Sequence, residues 1–261
     1  CSRFNNAVKN YTNKSLPINF SPITFSSWMG GDRDGNPNVT SKTTTEVILL
    51  SRWEAASLYQ KEFTKLIQNI AIHDCSRNIK KIAGNSREPY RVFLRPIRDK
   101  LIQTQKEIES CLSQKRFPKK SLLVNTINEI LDPLTEVYNS LCFIKCEIIA
   151  NGIVLDLIRR AHTFGLNLAK LDIRQESKRH TKLINSVSMK LGIGNYEKLS
   201  EKEKIVFLTK EYKSKRPLIP QDIFLDNVDK ETWLTFKMIS ESPRECLGAY
   251  VISMASKVSN I

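Results

Sequence analysis

Apolar residues recur at helical spacing along most of the chain. Tyr59, Phe63, Leu66, Ile67 and Ile70 fall at steps of three and four, which predicts one buried stripe on a long helix. That helix is expected to follow Ser41–Thr45, whose hydroxyls are available as caps. Gly84-Asn85-Ser86 and Pro89 break the pattern ahead of a basic helix from about Tyr90 to Leu112, and Phe117-Pro118-Lys119-Lys120 reads as an exposed linker. Leu134, Val137, Leu141, Ile144 and Ile148 predict the clearest amphipathic helix. Asn151-Gly152 interrupts it, and a second helix carrying Leu155, Ile158 and Ala161 ends at Gly165. Further on, Ile184, Val187 and Leu191 mark one helix. Ser200 with Glu203 makes a capping box for another carrying Ile205, Leu208 and Tyr212, and Trp233, Phe236 and Ile239 mark a last one.

Three stretches read as strands instead. Residues 1–22 are polar and turn-rich, the end of a helix plus a connector, and lead into an apolar run (Ile23, Phe25, Trp28, Met29) read as a buried strand. Leu168–Gln175 alternates with period two: Leu171 and Ile173 share one face, and Lys170, Asp172 and Arg174 share the other. Ala249–Ala255 reads as a buried strand. Strands separated by helices imply parallel pairing with helical crossovers. About 140 residues separate the first two, far more than the dozen or so a simple crossover needs. The expectation is therefore an α/β fold, predominantly helical, with a helical insertion over about 41–165.

With 261 residues, 41% of them hydrophobic, the chain can bury a sizeable core. No run of about 18 apolar residues is present and no signal peptide is legible, so a soluble, cytoplasmic protein without membrane contact is expected. The six cysteines (Cys1, Cys75, Cys111, Cys142, Cys146, Cys246) lack metal-ligand spacing and read as reduced, packed thiols. The net charge of +14 raises the possibility of nucleic-acid binding. Between Arg77 and Lys120, however, thirteen Lys/Arg stand against four Asp/Glu, and Arg91, Arg95, Arg98, Lys115, Arg116, Lys119 and Lys120 are not interleaved with aromatics. That pattern is a solvated basic face, and no nucleic-acid partner is expected.

The chemistry concentrates in FSSWMGGDRDGNPNVT, from Phe25 to Thr40. Gly30, Gly31 and Gly35 allow a tight turn and close approach of the backbone. Asp32, Arg33 and Asp34 place one guanidinium between two carboxylates. The segment is similar to the GSWMGGDRDGNP string of the phosphoenolpyruvate carboxylases. LDIRQESKRH (Leu171–His180), SKRPLIP (Ser214–Pro220) and AYVISMAS (Ala249–Ser256) continue the resemblance in order, with softer matches at Ile148–Gly152 and Leu191–Glu197.

The resemblance implies a partial (β/α)8 TIM-type barrel of about three strands, with residues 1–261 an internal part of one barrel domain. It also implies an enzyme forming oxaloacetate and phosphate from phosphoenolpyruvate and bicarbonate with Mg²⁺ or Mn²⁺, homotetrameric at full length. Arg174 becomes the first candidate for the substrate phosphate, the alternative being a salt bridge to Asp172 or Glu176. Arg33 is the second, either touching substrate or riveting the loop through Asp32 and Asp34. Arg179-His180 is read as a helix start, and His73 and His162 as surface or satisfied histidines. The family's catalytic histidine string, its metal carboxylates and its FHGRGG loop have no counterpart here and are expected before Cys1 or beyond Ile261, leaving the segment alone inactive. Two other classes stay open: a non-catalytic helical remnant acting as a binding or scaffold module, and a basic nucleic-acid-binding protein.

Overall fold

The structure, a computed structural model, describes residues 2–114, 117–118, 122–215, 217–220 and 223–260. Cys1, the basic residues Lys115, Arg116, Lys119 and Lys120, and Arg216 of the SKRPLIP string lie outside the described residues. Two compact units divide the chain: residues 1–25 with 48–170, and residues 26–47 with 171–261.

The first unit is helical. It contains α1 (Ser2–Thr12), most of α2 (Ser41–Asn69), α3 (Arg77–Ala83), α4 (Pro89–Ser113), α5 (Asn128–Phe143), the single turn α6 (Glu147–Ile149) and α7 (Leu155–Phe164). The predicted α2 stripe is its centre: Tyr59, Phe63, Leu66, Ile67 and Ile70 are all buried, against Ile79, Leu94, Leu101, Leu134, Val137, Leu141 and Ile158. Each such side chain withdrawn from water contributes about 1.5–3 kcal/mol. Tyr90 is fully enclosed, and its hydroxyl shares a 2.7 Å hydrogen bond with Ser140 Oγ, which also accepts the Ser76 amide at 2.8 Å. On the basic helix α4, Arg91 donates to the carbonyls of Ile67 and Gln68, so one of its cations seals the carbonyl end of α2.

One expectation changes in this unit. The helix through Leu134 and Leu141 does not run on to Ile148, which is exposed. It stops at Phe143 because Lys145 takes a left-handed conformation (φ 62°), the Lys145 amide bonds Cys142 O and the Cys146 amide bonds Leu141 O. That paired bonding satisfies the last carbonyls and turns the chain. Gly152 does break the following segment, inside a π-helical turn at Ala150–Val154, and Gly165 (φ 56°) ends α7 as its spacing foretold.

The second unit holds a three-stranded sheet in the order β1 (Ser26–Ser27), β2 (Lys170–Glu176), β3 (Leu247–Ser253). β2 and β3 pair in parallel, with Ile173 opposite Tyr250 and Arg174 opposite Val251, after a register shift between Leu171 and Ile173. The crossover between them is α8 (Ser177–Lys190), α9 (Glu201–Lys213) and α10 (Asn227–Glu241), with Leu183, Val187 and Leu225 as its small core. The predicted capping box is present: Ser200 Oγ accepts the Glu203 amide and Glu203 accepts the Ser200 amide. In α2 the cap comes one residue earlier than expected, Thr40 Oγ1 accepting the Thr43 amide.

Several exposures differ from the sequence reading. Ile23, Phe25, Trp28 and Met29 are exposed. The first strand has only two residues because the chain turns at Trp28, whose carbonyl accepts the Gly31 and Asp32 amides, before rejoining β2. β3 is an edge strand covered on one face, so Ala249 and Val251 are exposed. Tyr212 and Ile205 on α9 are exposed, and α10 buries Thr232, Thr235 and Met238, one position away from the Trp233, Phe236, Ile239 series.

Candidate functional site

The loop after Trp28 and the middle of β2 are built into one another. The Arg174 amide donates to Gly31 O at 2.9 Å and the Arg33 amide donates to Arg174 O at 3.1 Å, forming a parallel bridge between Asp32 and Arg174. The two glycines make that approach possible. A Cβ on Gly31 would lie 2.1 Å from the Asp172 carbonyl oxygen, and one on Gly30 (φ 79°) would lie 2.4 Å from Val47 Cγ2. Gly35 has φ 68° in open space and serves only the turn. Asp34 closes that turn, its amide donating to Asp32 Oδ1 at 3.1 Å.

Arg174 and Arg33, adjacent in this lattice, have opposite fates. Arg33 is 7% exposed. Its Nη1 donates to Gly31 O at 3.1 Å, and its Nη2 donates to Thr40 O at 3.4 Å and to Thr44 Oγ1 at 2.5 Å. The Thr44 hydroxyl in turn donates to Gly30 O at 2.6 Å. Arg33 therefore ties the loop to the first turn of α2 through carbonyls and a hydroxyl, rather than through Asp32 and Asp34. Burial lowers its pKa, with the charges of Glu231 and Tyr250 opposing that shift. Glu231 accepts the Ser41 amide at the start of α2.

The Arg174 side chain is 38% exposed, and its Nη1 lies 3.8 Å from Asp32 Oδ2, longer than the about 2.7–2.9 Å of a charge-assisted hydrogen bond. Its guanidinium carbon sits 5.4 Å from the centroid of the Trp28 ring, and its Nε is enclosed without a partner among the described residues. Neither expected carboxylate takes it. Asp172 Oδ1 accepts the Ala249 amide at 2.9 Å, bracing β2 to β3 where Gly248 leaves no room for a Cβ, and Glu176 lies 3.9 Å from Lys178 Nζ.

Three contributors escaped the sequence reading: Trp28, Thr44 and Tyr250. Trp28 belongs to an apolar run that reads as core, although its place two residues before the diglycine is a signal. Tyr250 faces α8, its hydroxyl 2.7 Å from His180 Nε2, with Phe236 beside both rings. Burial pushes the Tyr250 phenol up to about 12, against the pull of Arg33, and pushes His180 below the usual imidazole value. His180 is thus a packed residue of α8, while His73 and His162 are exposed.

A sequence model described as phosphoenolpyruvate carboxylase matches residues 1–261. The chain belongs to the phosphoenolpyruvate carboxylase family. It is 43% identical over 254 residues to the phosphoenolpyruvate carboxylase of Vibrio atlanticus (strain LGP32), covering 97% of this chain and 29% of the relative. It is 43% identical over 248 residues to that of Klebsiella pneumoniae (strain 342), covering 94% of this chain and 28% of the relative. Against that of Photorhabdus laumondii it is 42% identical over 261 residues, covering 99% and 30%. The chain thus spans about three tenths of the length of these carboxylases.

Among the described residues no three of His, Cys, Asp and Glu group so as to hold a metal ion. Nor is any described helix long and apolar enough to cross a membrane.

Proposed function

We propose that this chain supplies the phosphate-binding guanidinium and its supporting loop to a phosphoenolpyruvate carboxylase, which forms oxaloacetate and phosphate from phosphoenolpyruvate and bicarbonate. The observation that carries the reading is the unused donor capacity of Arg174. Among the described residues its ion pair with Asp32 is long, one face stacks on Trp28, and its backbone amide and carbonyl are both held by the loop, at Gly31 and Arg33. A planar cation held this way can turn two N–H groups toward phosphate oxygens without reorganising its support. Trp28 keeps the guanidinium plane in place and excludes water from one side of it. Arg33 is given the supporting role, because its Nη1 and Nη2 already serve the loop and the start of α2.

In the same proposal β1, β2 and β3 are part of a (β/α)8 barrel, the enzyme is a cytoplasmic homotetramer, and Mg²⁺ or Mn²⁺ is held by residues other than those described here. The 261 residues by themselves then do not turn over substrate.

The test uses the polypeptide of the complete reading frame that contains this chain, assayed for oxaloacetate from phosphoenolpyruvate and bicarbonate. Arg174→Lys is expected to lower kcat/KM for phosphoenolpyruvate about a hundredfold with little change in Tm, because a point charge replaces a bidentate fork. Arg33→Lys is expected to lower Tm instead. An Arg174→Lys enzyme with wild-type kcat/KM for phosphoenolpyruvate removes the assignment.

A further inference from the structure

A second cationic site lies in the same unit, and none of the residues around Arg174 lines it. It is a cavity of about 440 Å³ between the start of α8, α9 and the segment following β3. Four ammonium groups line it: Lys178 and Lys182 from α8, Lys204 from α9 and Lys257 after β3, with Glu197 the one carboxylate among the lining residues. Glu201, close to Lys204 and Lys257, is already engaged by the Ser259 amide and hydroxyl, both at 2.8 Å. Lys178 Nζ lies 3.9 Å from Glu176, and Lys204 lies 5.3 Å from the Tyr196 ring centroid.

The local arrangement runs against ordinary helix chemistry in three ways. α8 has no acidic residue in its first turn, and its N-cap residue Glu176 makes no side-chain cap. Lys178 therefore stands at the positive end of a helix dipole, where cations are unfavourable. Lys178 and Lys182 are four residues apart, so like charges adjoin on one face. Two further lysines then converge from separate elements. A bound anion reverses the sign of all three effects, and such conflicts between local preference and observed placement are where function is expected. The site also lies past the carboxyl ends of parallel β2 and β3, where open α/β sheets place their ligands.

We propose that this cavity binds a phosphate-bearing small anion: the lysines supply charge, and the hydroxyls of Thr181 and Ser256 are available as donors. The volume falls in the range of small-ligand pockets.

Inorganic pyrophosphate is the probe, titrated calorimetrically into the complete polypeptide carrying Arg174→Gln, so that the substrate guanidinium does not contribute. Saturable binding that weakens with salt is expected. Lys178→Gln and Lys257→Gln, made singly because both lie on the surface side of their elements, should each weaken it about tenfold, the loss of one charged hydrogen bond. Lys178→Arg should retain it, and an unchanged circular dichroism melt for each variant confirms folding. Absence of saturable binding, or binding that both Gln variants leave untouched, overturns the proposal without bearing on Arg174.

Discussion

Asp32 and Arg174 are joined as neighbours across a parallel bridge, yet their charged ends stay 3.8 Å apart. The backbone, and not the ion pair, brings the loop and the strand together. An exposed pair at that distance contributes about 0–1 kcal/mol, whereas the hydrogen bonds from the Arg174 amide to Gly31 and from the Arg33 amide to Arg174 fix both segments. Asp32 can therefore release the guanidinium without the loop moving.

The closeness of that junction makes Gly31 the most sensitive position in the loop. Gly31→Ala would drive a Cβ to within 2.1 Å of the Asp172 carbonyl, a backbone atom that cannot rotate away. The expected outcome is a loss of about 1–3 kcal/mol or more in urea unfolding. Gly35→Ala, at positive φ in open space, should cost only about 1–2 kcal/mol. Equal midpoints for the two variants would contradict the packing described.

Lys145 occupies the left-handed position of the α5 terminus that glycine ordinarily fills. Lys145→Gly relieves that conformation at φ 62° and is expected to stabilise the chain by about 1 kcal/mol, read as a higher Tm. Lys145→Val, a β-branched residue at the same φ, should lower it. A Lys145→Gly variant that melts earlier than wild type would show that the side chain contributes more than its backbone costs.

His180 gives a pH dependence whose sign follows from its burial. Its imidazolium is disfavoured in the folded state, so its pKa there lies below the ordinary value of about 6.5. Above that value both states are neutral and stability is full. As pH falls below about 6.5 the unfolded chain takes up the proton first, and stability declines until pH passes the folded value. His162 shifts in the same direction and adds to the slope. Urea midpoints measured from pH 8 to 5 should fall, and His180→Gln should flatten that slope. A parallel curve for the variant would assign the dependence elsewhere.

Much of the secondary structure was legible because it is set by near neighbours. The Ser200 and Glu203 box, the Gly165 terminus and the buried stripe of α2 each follow from residues within a few turns of one another. The charged face of β2 was equally plain from alternation, as was the family from four ordered strings. What failed was the burial of α9, β3 and the run before Gly30. Apolar spacing names the face of an element that prefers cover, not whether a neighbour covers it.

The order of residues alone thus determined most of the helices, the strand carrying Arg174, the diglycine turn and membership of the carboxylase family. Only the tertiary structure decided that Arg33 turns inward to Thr44 while Arg174 faces Asp32 and Trp28, that Gly31 exists for the Asp172 carbonyl, and that four lysines from three segments share one cavity. Those relationships join residues far apart in the chain. No local preference encodes them; they depend on which backbone groups are left to pair once the sheet has formed.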